Sequence, residues 1–284
     1  MVNQYLPHNL NEALDILNKE DCYILAGGTD LMVQKRNTSN ALPLFDKAIL
    51  YTNHLDELAY VKEDEKGVHV GSNMKIVDLE NHPAIPRMLQ DVLKELASPQ
   101  IRNIATMTGN VCNASPAGDS IVPLYVLDAR VVLVSVNGER SVKISEFITG
   151  VRRTVRQSNE LVKEIFIPYN HATRTYWKKV GSRKAETISK VSMAGLYEIK
   201  DHKLVDLRIA FGSVGATIKR SNDIEEKFIG LDIDDISVTD VVNEYSLLIT
   251  PIDDQRSTSK YRFIVALNIL KDFLSRLKAG ECDK

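Results

Sequence analysis

With 284 residues, 44% hydrophobic and 26% charged, the chain is too long for one small core and too ordinary in composition for a disordered or fibrous protein. Its formal net charge of −2 offers no basic field for nucleic acid or an anionic membrane, so the expected ligand is a small molecule or a protein. No apolar run approaches the ~20 residues of a membrane span, and the N-terminus lacks a basic leader. Cys22, Cys112 and Cys282 are odd in number and far apart, no C-x-x-C occurs, and the six histidines never pair at ligand spacing. The expectation is a cytoplasmic chain with no metal or iron–sulfur site of its own.

In chain order, "NLNEALDILNKED" (9–21) places Leu10, Ala13, Leu14 and Leu17 at helical spacing behind an Asn9 cap. "CYIL" (22–25) reads as a strand. It leads through the glycine loop "AGGTD" into "LMVQKR", a single helical turn. Strands follow at "DKAILYTN" (46–53), "AYVKED" (59–64) and "GVHVGSN" (67–73). Residues 76–96 carry two helical patterns, with Met88, Leu89, Val92 and Leu96 on one side of the second. "VVLVSV" and "ERSVKI" flank Asn137-Gly138, which predicts a hairpin with a mirror-image turn.

"ELVKEIFIP" (160–168) is one more strand, and the polar "YNHATRT" (169–175) is the expected domain boundary. Beyond it, "TYWKKVG", "VSMAGLYEIK" and "KLVDLRIAFGSV" predict a three-stranded antiparallel sheet backed by helices near 223–229, 239–249 and 257–279. The last helix is expected to bury Ile264, Leu267, Leu270, Leu274 and Leu277, with Lys and Arg outside that stripe.

Two stretches carry chemistry. The glycines of "AGGTD" serve either a tight turn or a cradle in which main-chain N–H groups approach a phosphate. The second stretch, 98–128, crowds Thr106, Thr108, Gly109, Asn110, Asn113, Ser115, Gly118 and Asp119 between apolar flanks. Buried polar groups need partners. Either backbone turns supply them, or a polar ligand with a diphosphate and a polyhydroxyl chain does, with Asp119 accepting from its hydroxyls. Neither G-x-G-x-x-G after a strand nor G-x-x-x-x-G-K-[ST] occurs, so any nucleotide sits on an unrelated scaffold.

"ILAGGTDLMVQKR", "SPQIRNIATMTGNVCNASPAGDSIVPLYVLDA", "FITGVRRTVRQSNELVKEIFIP" and "LRIAFGSVGATIKR" stand in the order and spacing of a known family. Over nearly its whole length the chain resembles the FAD-binding medium subunit of the molybdenum hydroxylases, such as xanthine dehydrogenase and carbon monoxide dehydrogenase. The resemblance implies an α+β fold: two α/β modules of the vanillyl-alcohol-oxidase (PCMH) type at 1–54 and 55–170, then a C-terminal antiparallel sheet with helices at 171–284. FAD would lie between the first two modules.

Residue by residue, the resemblance places Leu25, Ala26, Gly27, Gly28, Thr29, Asp30 and Leu31 in a first loop over the FAD diphosphate. Thr106, Met107, Thr108, Gly109 and Asn110 form a second loop, and Asn113, Ser115 and Asp119 bond to phosphate, ribose or ribityl groups. Leu96 stands near the isoalloxazine ring, Val162 makes a backbone contact, and Lys178 reaches the flavin. The family usually has two glycines before the Asn, where this chain has Thr108-Gly109. A threonine disfavours left-handed geometry at 108, although its hydroxyl offers a donor.

Blander readings stand beside several of these. Lys178 is equally a solvated strand charge, and Asp30 equally a helix cap. Arg152, Arg153 and Arg156 read better as a solvated basic turn than as a guide for NAD or a partner, and Cys112 as a small buried filler.

No nucleophile–base pair or carboxylate dyad is present, so the reaction is the cofactor's. The implied role is electron transfer: from [2Fe–2S] clusters on a small partner subunit, through FAD, to NAD⁺ or another acceptor. The substrate, a purine such as xanthine, would be hydroxylated at a molybdenum cofactor on a large partner subunit. The chain has neither the cysteines for clusters nor the length for molybdenum domains, so it is expected to act as one subunit, in a dimer of heterotrimers. A self-sufficient flavin reductase of the same fold and a non-enzymatic scaffold are the alternatives.

Overall fold

Asn9 starts the first helix as expected: its side-chain oxygen accepts from the Glu12 N–H at 2.9 Å and caps α1 (Leu10–Lys19), which buries Ala13, Leu14 and Leu17. This computed structural model describes residues 2–36, 43–184 and 186–281; Cys282 lies outside them. The chain divides into two compact units. One comprises Met1–Pro86, Ala97–Ala114 and Asp128–Tyr169, the other Arg87–Leu96, Ser115–Leu127 and Asn170–Lys284.

In the first unit, β1 (Gln4–Tyr5), β2 (Cys22–Leu25) and β3 (Ala48–Tyr51) form a parallel sheet in the order β1-β3-β2, and the single turn α2 (Leu31–Gln34) follows β2. The buried face of α1 shares a core with Cys22, Ala48 and Leu50. Strands β4 (Val61–Glu63) and β5 (Gly67–Gly71) come next, then α3 (Ile76–Leu79). After α4 (Arg87–Glu95), the polar stretch expected as loop contains α5 (Pro99–Arg102), α6 (Met107–Asn113) and α7 (Ile121–Val126). Its hydroxyls are partly helix caps: Ser98 accepts from the Ile101 N–H and Thr106 from the Gly109 N–H.

Strands β6 (Arg130–Ser135) and β7 (Gly138–Lys143) form the predicted hairpin, but its turn differs. The closing pair is Ser135 with Gly138, so the turn is centred on Val136-Asn137, and Gly138, at φ 117°, opens β7. A single positive-φ glycine there satisfies the strand twist without a mirror-image turn at Asn137-Gly138. Past α8 (Ile144–Phe147) and the pair β8 (Ile148–Gly150) and β9 (Arg153–Thr154), β10 (Leu161–Pro168) enters the middle of an antiparallel sheet ordered β4-β5-β10-β6-β7. Its register shifts between Val162 and Glu164.

The second unit is built on β11 (Arg174–Val180), β12 (Val191–Lys200) and β13 (Lys203–Gly212), antiparallel in that order as the three apolar runs predict. Helices α4 and α7 pack with this sheet. So do α9 (Asn222–Glu226), α10 (Val238–Leu248) and α11 (Ser259–Ala279). The stripe expected on α11 needs correcting. Ile264 is 47% exposed, and the inward face is Ala266, Ile269, Leu270, Phe273, Leu274 and Leu277, with Arg262 buried among them. Arg262 is tolerated inside because its guanidinium donates to the carbonyls of Lys190 and Ser213 and to the Asp254 carboxylate.

Candidate functional site

The parallel pairing of β2 with β3 ends at Leu25, and the chain then turns through Gly27 and Gly28. A Cβ on Gly27 would sit 2.3 Å from the Ile104 carbonyl oxygen and 2.9 Å from Ala105 Cα, so only glycine permits this contact. The first glycine segment therefore abuts the residues that lead into Thr106. Gly28 takes φ 70°, and its carbonyl accepts from the Met32 N–H at 2.9 Å. The N–H groups of Ala26 through Leu31 find no acceptor among the described residues. Asp30 stands at the start of α2 without capping it through its side chain. Although Asp30 is open to solvent, desolvation at its carboxyl raises the pKa, with Arg152 pulling the other way.

The second segment is anchored by the Ile76 N–H, which donates to Ala105 O at 2.9 Å, and by a bridge between Lys75 and Thr106. Thr106 then caps α6: its hydroxyl takes the Gly109 N–H at 3.0 Å and its carbonyl the Asn110 N–H at 3.1 Å. The Thr108 N–H is left without an acceptor among the described residues, while the Met107 N–H faces the Met74 carbonyl across the bridge. Thr108 lies in right-handed helix, so its replacement of the family glycine meets no backbone conflict here. Its Oγ1 is buried and has no partner among the described residues. Asn113, at the end of α6, accepts from Gln34 of α2 at 2.8 Å. Burial pushes the Cys112 thiol up to about 11, which makes it a poor nucleophile.

In the second unit a different arrangement surrounds Asp119, which is 7% exposed. Its Oδ1 accepts from Ser189 Oγ at 2.5 Å and its Oδ2 from Lys179 Nζ at 2.7 Å. Lys179 also donates to the Glu95 carbonyl at 3.0 Å, and the Trp177 indole N–H to the Glu95 carboxylate at 2.9 Å. Desolvation raises the Asp119 pKa, opposed by Lys179 and Ser189. Strand alternation on β11 sets Trp177 and Lys179 on one face and leaves Lys178 exposed on the other. The sequence reading missed Lys179; the signal available was its i, i+2 spacing from Trp177.

Leu96 is buried directly after α4, and Ser115 spends its hydroxyl on the Ala117 N–H at 3.2 Å, a local turn. Val162, in the first unit, is buried opposite Leu133.

Residues 1–170 match the family described as the FAD binding domain in molybdopterin dehydrogenase, and residues 176–277 the CO dehydrogenase flavoprotein C-terminal domain. The chain is 32% identical over 258 residues to the glyceraldehyde dehydrogenase medium chain of Sulfolobus acidocaldarius, a match that spans 89% of this chain and 90% of that one. It is 31% identical over 208 residues to the nicotinate dehydrogenase FAD-subunit of Eubacterium barkeri, over 69% of each. In fold it is similar to carbon monoxide dehydrogenase from Hydrogenophaga pseudoflava, with a TM-score of 0.88 at 23% identity over 99% of this chain and 98% of that one.

The residues present fit FAD. Free main-chain N–H groups next to a glycine too crowded for any side chain suit a diphosphate, and uncharged hydroxyls and amides suit sugar oxygens. The chain belongs to the FAD-binding medium subunits of the molybdenum hydroxylases, the flavoprotein subunits of multi-subunit oxidoreductases.

Proposed function

We propose that this chain binds FAD and passes electrons from [2Fe–2S] clusters on a small partner subunit to NAD⁺ or another acceptor, in a complex whose large subunit carries the molybdenum cofactor. The supporting observation is the run of unclaimed N–H groups at 26–31, with that of Thr108, on two segments that touch at Gly27. In this reading those N–H groups hold the diphosphate, and Asn110 and Asn113 contribute side-chain amides. Two of the roughly four acceptor directions of the Asp119 carboxylate are taken, which leaves the others for ribose or ribityl hydroxyls.

Lys178 keeps its role as the lysine that reaches the flavin, and Lys179 holds the Asp119 carboxylate. Leu96 and Val162 keep their roles at the ring and as a backbone contact. FAD supplies the redox chemistry; the protein's part is binding, orientation and electrostatics. Residues 1–54, 55–170 and 171–284 are the three modules of this reading, and a dimer of heterotrimers in the cytoplasm is its assembly. Among the described residues no helix is long and apolar enough to cross a membrane.

For the substrate, overall resemblance supports a purine such as xanthine. A second reading, an aldehyde, is favoured by the 32% identity to the glyceraldehyde dehydrogenase medium chain. Titration of the purified chain with FAD, followed by visible absorption, tests the central reading: uptake with perturbed flavin bands is expected, and none would overturn it. Dye-linked and NAD⁺-linked assays of the purified complex with xanthine and glyceraldehyde decide the substrate and the acceptor.

A further inference from the structure

The partners of Asp119 form a longer buried chain than ligand binding requires. Ser189 is 1% exposed and donates to Asp119 Oδ1 at 2.5 Å. Its own carbonyl accepts from Ser213 Oγ at 3.0 Å, and the Ser213 N–H reaches back to the Pro116 carbonyl at 2.8 Å, three residues before Asp119. The neighbouring Lys190 pairs its N–H with Val180 O at 2.8 Å. Arg262 fastens both ends of this frame through the carbonyls of Lys190 and Ser213. Ser189 is thus held through the peptide that follows it, and its hydroxyl donates to the Asp119 carboxylate.

A buried carboxylate persists only when paired and hydrogen-bonded. The charged groups acting on Asp119 are Lys179 from β11, which favours its ionised form, and Glu95 at the end of α4, which opposes it. Lys179 is shared with the Glu95 carbonyl, so it does not fix the carboxylate plane alone. The second contact, from Ser189, completes a two-point hold.

We propose that Ser189 is a positioning residue for the flavin site: together with Lys179 it holds the Asp119 carboxylate at both oxygens, leaving its remaining lone pairs for the cofactor's hydroxyls. This rests on the reading of Asp119 as an FAD ligand. Without the hydroxyl, Oδ1 loses a charge-assisted bond in a desolvated place, and protonation of Asp119 moves toward neutral pH.

The test uses the full chain as parent, Ser189→Ala and Ser189→Thr, with two readouts across pH. One is the Asp119 carboxyl carbon resonance without FAD. The other is the FAD dissociation constant from flavin fluorescence quenching. In Ser189→Ala the carboxyl titration should rise by roughly one pH unit or more, the loss of FAD affinity on acidification should move by the same amount, and Ser189→Thr should restore both. A carboxyl titration unchanged by Ser189→Ala overturns the role of Ser189. A shifted carboxyl with an unshifted FAD profile overturns instead the reading of Asp119 as a ligand. Ser189→Ala keeps every backbone bond of the frame, so loss of fold does not mimic either result.

Discussion

The segments at 25–31 and 104–110 and the cluster around Asp119 solve opposite problems with similar residues. The first leaves main-chain donors unclaimed and brings them together by removing a side chain at Gly27. The second buries a charge and satisfies it internally with Lys179 and Ser189. Unclaimed donors cost little while water reaches them, whereas a buried unpaired carboxylate is expensive in any state. One region is thus built for a ligand that arrives, and the other is complete beforehand and presents only spare lone pairs.

The largest break in this comparison is Lys179→Met. It leaves Asp119 buried without its counter-charge, and unfolding in urea should show a loss of about 3–5 kcal/mol. Adding Asp119→Leu should recover most of that stability, as an apolar pair replaces an ion pair, while FAD affinity stays low. Gly27→Ala comes next. The backbone of 104–105 must move to admit a methyl group, so FAD affinity should fall at least about tenfold, with a smaller loss of thermal stability. Fluorescence titration and differential scanning calorimetry measure the two effects.

Thr106→Ala sharpens the comparison at lower cost. It strips the cap from the Gly109 N–H, so a loss of about 1 kcal/mol is expected, with a modest drop in FAD affinity because the helix remains. The smallest effect belongs to a third cluster in the first unit. His69 Nδ1 lies 2.7 Å from Glu164 and Nε2 3.3 Å from Asp64. Burial works against charge on His69, but the bonds to Glu164 and Asp64 outweigh it and raise its pKa. A raised histidine contributes stability fully below its unfolded value of about 6.5 and loses it as pH rises through the folded value. The Tm advantage of the parent over His69→Gln should therefore be greatest below about pH 6.5 and shrink as pH rises above it, at no more than roughly 1–3 °C, since partial exposure screens the cluster.

Much of this was legible along the chain. Asn9 and the leucine spacing of α1, the alternation of β5, the hairpin at β6–β7 and the three runs of the C-terminal sheet all declare themselves through local periodicity and caps. The buried face of α11 was harder to read. Ile264 and Arg262 exchange their expected places because carbonyls of Lys190 and Ser213, far off in sequence, satisfy the guanidinium. Lys178 and Lys179 are equal as letters, and only the facing of β11 separates a solvated charge from a buried partner of Asp119. The segments 87–96 and 115–127 belong to the second unit by packing that no local pattern reports.

By itself, then, the sequence determined most of the elements outside 98–128, the polar character of the two glycine segments and the family, because propensity, periodicity and motif spacing act over a few neighbouring residues. Tertiary structure decided which N–H groups stay unclaimed, which lysine is buried and which serine holds the carboxylate. Those outcomes depend on what distant backbone brings within 3 Å, and hydrogen bonding and desolvation respond to that distance rather than to separation along the chain.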